Sequence, residues 1–271
     1  MGGKGKLIII GGAEDKENEC EILKEVTDSA GQGKIVIITT ATQKPAEAGR
    51  LYSEIFRKLG IENVEVININ SRQDAQADIF LQRVEGAACV FFTGGDQLRI
   101  TSILGGTLMG TKLKEMFDRG VAIVGTSAGA SAMSSVMIVA GNDEDSPRKC
   151  TVKMAPGLGL LSGCVIDQHF AQRGRIGRLI CAVAQNPHVL GIGIDEDTAI
   201  VVQDERFDVI GSQAVTIVDG STLSFSNVSE TKPDELLALM DIKMHVLSKG
   251  YGFDLIKRKP IGYREVDNEN S

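Results

Sequence analysis

No apolar run in this 271-residue sequence is long enough to cross a membrane. The first one, Leu7 to Ile10 in "MGGKGKLIIIGGAEDKENEC", lasts four residues before glycines and charges, too short for the apolar core of a secretory leader, so a cytoplasmic location is expected. Cysteine is sparse: Cys20, Cys89, Cys150, Cys164 and Cys181 are odd in number, scattered, and contain no Cys-x-x-Cys pair. That argues against a disulfide framework and against a zinc site, and reads most of them as small buried hydrophobes. Positive charge is in deficit, 29 Lys and Arg against 36 Asp and Glu for a net charge of -7, which disfavours wholesale binding to nucleic acid or to a membrane surface. Histidine is scarce, with three copies. No linker rich in Pro, Gly and Ser cuts the chain and no fixed-period repeat occurs, so one domain over residues 1–271 is expected.

What is present is an alternation. The apolar runs "KLIIIGG", "KIVIITTAT", "NVEVINI", "AACVFFTGG" and "VAIVGTSAG" each end in glycine or a polar turn, as strands buried on both faces do. Between them, "DKENECEILKEVTDSAG" and "EAGRLYSEIFRKLG" repeat apolar residues at helical spacing and stop at glycine. The pattern predicts an α/β fold of three layers, a mostly parallel central sheet with helices on both faces. Beyond residue 127 the runs shorten to "VMIVAG", "GCVIDQ", "GIGID", "TAIVVQ", "FDVIG", "AVTIVDG" and "TLSFSNV", which predicts extra antiparallel strands in the C-terminal half. "TKPDELLALMDIKMHVLSKGYGFDL" predicts a late helix, followed by a polar tail.

The fifth run breaks into Gly125-Thr126-Ser127-Ala128-Gly129, a G-x-S-x-G. Where a buried strand turns abruptly into a helix, the corner residue is forced into strained backbone geometry with its side chain above the sheet, and its neighbours must be small. "AGASAMSSV" supplies the expected helix, whose free N–H groups favour a developing anion at Ser127. A turn that merely packs tightly or cradles phosphate is the plain alternative, but no P-loop Lys-Ser/Thr follows and G-x-G-x-x-G is absent here.

A serine hydroxyl needs a base. His188 in "AQNPHVLG" and His245 in "DIKMHVLSK" read as structural or surface residues, whereas His169 ends the apolar run "GCVIDQHF", on the sheet edge expected for Ser127. A carboxylate should orient the imidazole. Two acidic stretches compete: Asp195, Glu196 and Asp197 in "GIGIDEDTA", and Asp143, Glu144 and Asp145 in "GNDEDSPR". Glu196 is preferred because strand sequence flanks it, with Glu144 and Asp145 as rivals. Candidate oxyanion donors are the amides of Ala128, the residue after the serine, and of the Gly94-Gly95 turn in "FFTGGDQ", Gly95 in particular. Arg173, Arg175 and Arg178 crowd six residues of an acidic chain directly after His169, a set of guanidiniums matched to carboxylate ligands.

"FFTGGDQ", "GTSAGASAMS", "VIDQHFAQRGRIGRL" and "GIGIDEDTA", in this order, resemble the cyanophycinase family of serine exopeptidases, related to aspartyl dipeptidase (peptidase E). The likeness runs from "LIIIGGAEDK" through "GIGIDEDTA", and its "DQHFAQRGRIGRL" stretch is far more specific than the G-x-S-x-G. It implies a fold like the class I glutamine amidotransferases (flavodoxin-like). The implied substrate is cyanophycin, a poly-aspartate with arginine on each β-carboxyl, released as β-Asp-Arg dipeptides through an acyl-enzyme. By motif position Ser127 resembles the family nucleophile, His169 its base, and Gln97, Asp167, Gln168, Arg173, Arg175 and Arg178 its substrate pocket. Neither a metal nor an organic cofactor is implied, and a homodimer is. The alternatives are an aspartyl dipeptidase of the same superfamily and a non-catalytic binding homologue. An α/β-hydrolase esterase carries its histidine last, unlike the order Ser, His, Glu, and a glutaminase uses cysteine at the elbow.

Overall fold

The five apolar runs of the first half are the strands β1 (Leu7–Ile10), β2 (Lys34–Ile38), β3 (Val64–Ile67), β4 (Ala87–Phe92) and β5 (Ala122–Thr126). In the computed structural model, which describes residues 3–141, 143 and 146–262, they pair in parallel in the order β1-β5-β4-β2-β3. Alternate residues serve opposite faces. Ile8, Ile10, Ile35 and Ile37 pack under α1 (Glu21–Ala30) and α2 (Pro45–Lys58), through Leu23, Val26, Tyr52 and Phe56. Leu7, Ile9, Val36 and Ile38 join the cluster on the other face, to which α3 (Asp78–Val84), α4 (Gln97–Leu104) and α5 (Leu108–Asp118) contribute Val84, Ile100, Leu104, Leu113 and Met116. Each fully buried aliphatic side chain contributes roughly 1.5–3 kcal/mol, which is why these strands carry almost no polar residue.

The helices begin where the chain chemistry allows. The first is expected from Asp15 onward but starts at Glu21, because the Asp15 carboxylate accepts the amides of Glu17 and Asn18 at 3.0 Å and of Cys20 at 2.9 Å, closing a turn instead. Pro45, with no amide to satisfy, opens α2.

In the second half, β6 (Val136–Gly141) and β7 (Val152–Pro156) form a hairpin, and β8 (Cys164–Gln168) runs parallel to β9 (Leu190–Ile194), with α7 (Ile176–Gln185) between them. Next come β10 (Thr198–Gln203), β11 (Arg206–Gly211), β12 (Ala214–Asp219), β13 (Phe225–Ser226), β14 (Leu239–Met240), β15 (Lys243–Ser248), β16 (Gly252–Asp254) and β17 (Lys259–Ile261). β10 joins β1 antiparallel, and β11, β16 and β17 extend the edge, giving nine strands in the main sheet among the described residues. A second sheet has the order β15-β12-β9-β8. The chain crosses between the sheets at Asp195–Asp197, the link from β9 to β10.

Two expectations are corrected. The late helix is absent: "KMHVLS" is the edge strand β15, antiparallel to β12, with Leu247 buried and Met244 and Val246 exposed in strand alternation. Tertiary pairing overrides the helix propensity of "DELLALMDIKM". The helix after Ser127 is a single turn, α6 (Ala128–Ser131). Its continuation is drawn off by Leu158 and Leu160, whose amides take the carbonyls of Ala132 and Met133, and by the Ser134 hydroxyl, which donates to the Ser131 and Val136 carbonyls. No helix among the described residues is long and apolar enough to cross a membrane.

Candidate active site

At the carboxyl end of β5 the chain turns so sharply that Ser127 adopts φ 53° and ψ -111°, a backbone that a side-chain-bearing residue rarely takes. Small neighbours make this feasible. A Cβ on Gly129 would lie 2.6 Å from the Phe92 carbonyl oxygen, and one on Gly125 2.5 Å from that of Gly129, so the strand and its following turn approach as only glycine permits. Ser127 Oγ stands 2.9 Å from His169 Nε2, and His169 Nδ1 stands 2.6 Å from Glu196 Oε1. With Nδ1–H donating to Glu196, Nε2 is left as acceptor for the serine hydroxyl, the tautomer a base requires.

The three side chains come from the carboxyl ends of β5, β8 and β9, in two different sheets. His169 follows β8 with φ 48°, and Glu196 sits at the link between the sheets. The imidazole is mostly buried, at 12% side-chain exposure, and Glu196 is more open, at 36%. Burial lowers the His169 pKa below the ordinary 6.5, Arg173 and Arg175 add to that, and the bond to Glu196 opposes it. The deprotonated imidazole therefore persists to lower pH than in a free histidine. The acid limb of kcat/KM is expected below pH 6.5, read from a pH–rate profile.

Around Oγ, the amides of Gly94, Gly95 and Ala128 meet no acceptor among the described residues. A Cβ on Gly94 would lie 3.8 Å from Ser127 Oγ, in ordinary contact, whereas Gly95 has φ 143° and a Cβ there would fall 2.3 Å from the Ala41 carbonyl oxygen, so Gly95 requires glycine. Asp96 is exposed and caps α4 by accepting the Leu98 amide at 2.8 Å.

Gln97 ties α4 to the β6–β7 hairpin, its Nε2 donating to the Ile138 and Val139 carbonyls at 2.9 and 3.2 Å. Arg175 and Arg178 are buried, and their guanidiniums are engaged. Arg178 grips Asp167 with two nitrogens, Nε at 2.7 Å and Nη2 closer, and reaches Asp143 at 3.1 Å. Arg175 donates to Asp143 at 2.9 Å and to Gln168 Oε1 at 2.8 Å. Asp167 thus faces Arg178 and is 1% exposed, rather than meeting solvent. Arg173, on the turn after His169, is exposed and has no ion-pair partner among the described residues. Glu144 and Asp145, the rivals to Glu196, lie outside the described residues.

Removing one partner of a buried ion pair strands the other charge and costs about 3–5 kcal/mol. Arg178→Met is accordingly expected to destabilise the fold by about that amount in urea unfolding, in addition to any effect on turnover. The cysteines are as expected small and mostly buried, with Cys150 alone exposed, and burial pushes the Cys89 and Cys164 thiols up to about 12. Sequence reading missed Gly12, which packs on the His169 ring, and Glu14, a wholly buried carboxylate bonded to the residue before the nucleophile. The signal available for both was "GGAED" placed directly after a buried strand.

The chain is 40% identical over 259 residues to a cyanophycinase of Trichormus variabilis, covering 94% of this chain and 87% of the relative. It is 37% identical over 262 residues to a cyanophycinase of Geminocystis herdmanii, covering 95% and 96%. The crystal structure of a peptidase from an acI-B1 actinobacterium shares the fold, with a TM-score of 0.68 at 21% identity over 93% of this chain and 97% of the other. Residues 7–210, which include Ser127, His169 and Glu196, match the model of peptidase family S51. By this match and these relatives, the chain belongs to peptidase family S51.

Proposed function

We propose that the protein hydrolyses cyanophycin to β-Asp-Arg dipeptides as a serine-type exopeptidase, with Ser127 as nucleophile, His169 as general base and Glu196 as the carboxylate that holds the imidazole. The observation that carries this reading is the unbroken run of contacts from Ser127 Oγ to His169 Nε2 and from Nδ1 to Glu196. His169 takes the hydroxyl proton as Oγ attacks the aspartyl carbonyl. The amides of Ala128 and Gly95 receive the oxyanion, and an acyl-enzyme forms as His169 returns the proton to the leaving amine. Water, deprotonated by the same imidazole, attacks the acyl carbon, and the acyl–Oγ bond breaks as His169 returns the proton to Ser127, completing release of the products.

Gln97, Asp167, Gln168, Arg173, Arg175 and Arg178 form the substrate pocket in this reading. Arg173, exposed and unpaired among the described residues, meets a substrate carboxylate directly, while the Asp167–Arg178 and Asp143–Arg175 pairs build the wall behind it. The class I glutamine amidotransferase-like architecture, one domain over the whole chain, a homodimer and a cytoplasmic site of action belong to the same reading.

Incubating the protein in parallel with cyanophycin and with α-aspartyl dipeptides, and weighing the products, tests the substrate. Release of β-Asp-Arg from the polymer is expected. Cleavage of the dipeptides alone would mark an aspartyl dipeptidase, and binding of cyanophycin without products would mark a non-catalytic homologue.

A further inference from the structure

Ser127, His169 and Glu196 are far apart in sequence, yet the turn that leaves β1 meets the backbone beside each of them. The Ile10 carbonyl accepts the Ser127 amide at 3.0 Å, the Gly11 carbonyl accepts the His169 amide at 2.8 Å, and the Gly12 carbonyl accepts that of Asp197, next to Glu196, at 2.9 Å. Three consecutive carbonyls thus each fix one corner of the relay. The turn closes on the same partners again, since the Asp15 amide donates to Asp197 Oδ1 at 2.8 Å.

Its side chains act on the same atoms. Gly12, at φ 105°, lies against the imidazole, and a Cβ there would fall 2.6 Å from His169 Nε2, the nitrogen that faces Ser127. Glu14 has no exposed side-chain surface, and its carboxylate accepts the Thr126 hydroxyl at 2.7 Å and the Tyr52 hydroxyl at 2.5 Å, with Lys16 Nζ at 3.0 Å. Burial alone would raise the Glu14 carboxyl, but Lys16, Tyr52 and Thr126 together hold it below its ordinary value. Tyr52 is itself fixed, its ring centroid 4.6 Å from that of Phe91. Glu14 therefore anchors the residue immediately before a serine at φ 53°, and such a strained backbone persists only where its surroundings over-determine it.

We propose that the turn 10–15 is the positioning element of the hydrolysis, with Gly12 setting the imidazole against Ser127 and Glu14 setting the elbow through the Thr126 hydroxyl. The proposal rests on the Ser127–His169–Glu196 assignment made above. Gly12 and Glu14 are positioning residues, because they reach the reacting atoms only through His169 and Thr126.

The test is a set of variants assayed on cyanophycin for kcat and KM separately, each with a thermal midpoint. Thr126→Val removes the hydroxyl with little change of shape and is expected to lower kcat about tenfold at unchanged KM, while Thr126→Ser, which keeps the hydroxyl, restores it. Glu14→Gln should lower kcat to a similar extent, and the double variant Glu14→Gln/Thr126→Val should be no slower than the slower single, because both break one contact. Gly12→Ala should cost kcat about 100-fold, the order expected when a reacting group is displaced by about 1 Å. A Thr126→Val enzyme with kcat within twofold of wild type, or losses that multiply in the double variant, would overturn the role of Glu14. Full kcat in Gly12→Ala would overturn that of Gly12. Ser127→Ala in the same series separates the two levels: turnover retained there refutes the triad itself, whereas its loss beside active turn variants refutes only the positioning element.

Discussion

Ser127→Ala is expected to lower kcat on cyanophycin about 10⁶-fold, or about 8 kcal/mol of transition-state stabilisation, while leaving the affinity for the polymer nearly unchanged. The size follows from what the hydroxyl does. In the proposed mechanism it is the atom that forms the bond, and once it is gone the imidazole has nothing to activate, so only the proposed oxyanion amides and pocket remain. Binding should survive because the proposed pocket wall is held by contacts that do not pass through Ser127: Arg178 on Asp167, Arg175 on Gln168 and Gln97 on the β6 carbonyls. Single-turnover rates and equilibrium binding of the variant check both halves. A variant that loses binding and turnover together would mean that the serine has a mainly structural role at the corner.

Glu196→Gln is the second large effect. A carboxylate 2.6 Å from Nδ1 can only accept, which forces the imidazole proton onto Nδ1 and leaves Nε2 free for the hydroxyl. A carboxamide of the same shape presents an N–H₂ face that favours the opposite tautomer, with the proton on Nε2. A loss in kcat of about 10⁴-fold is expected at unchanged KM, the magnitude seen when the orienting carboxylate of a serine triad is replaced by its amide. Glu196 is partly exposed, so the substitution strands no buried charge and the fold should stay intact. A loss of less than tenfold would transfer the role to another carboxylate.

The three residues that come together, Ser127, His169 and Glu196, were legible because each stands at the carboxyl end of an apolar run, and strands buried on both faces announce themselves by composition. Ser127 carried the further mark of flanking glycines, and those glycines are where backbone and side chain approach within contact distance. Choosing Glu196 rested on the strands β9 and β10 that flank it. What stayed hidden depends on contacts through space. Nothing local says that Arg175 and Arg178 turn inward to Asp167 and Asp143 rather than outward as a solvated cationic face. Nor does anything local say that Glu14 turns inward to the Thr126 and Tyr52 hydroxyls. The region after Asp219 misled for another reason: "DELLALMDIKMHVLS" has good helix formers, and its strands exist because β12 offers an edge to β15 and β13 pairs with β14.

The central claim is that an alcohol oxygen at the corner of β5 becomes the attacking group. It is tested most directly by reacting the protein with a fluorophosphonate and mapping the modified peptide by mass spectrometry. A single adduct on Ser127, lost when His169 is replaced by alanine and accompanied by complete inhibition of cyanophycin cleavage, is the predicted result. Cleavage that continues at full rate in protein whose Ser127 is quantitatively modified, or inhibition with the adduct on another residue, would contradict it.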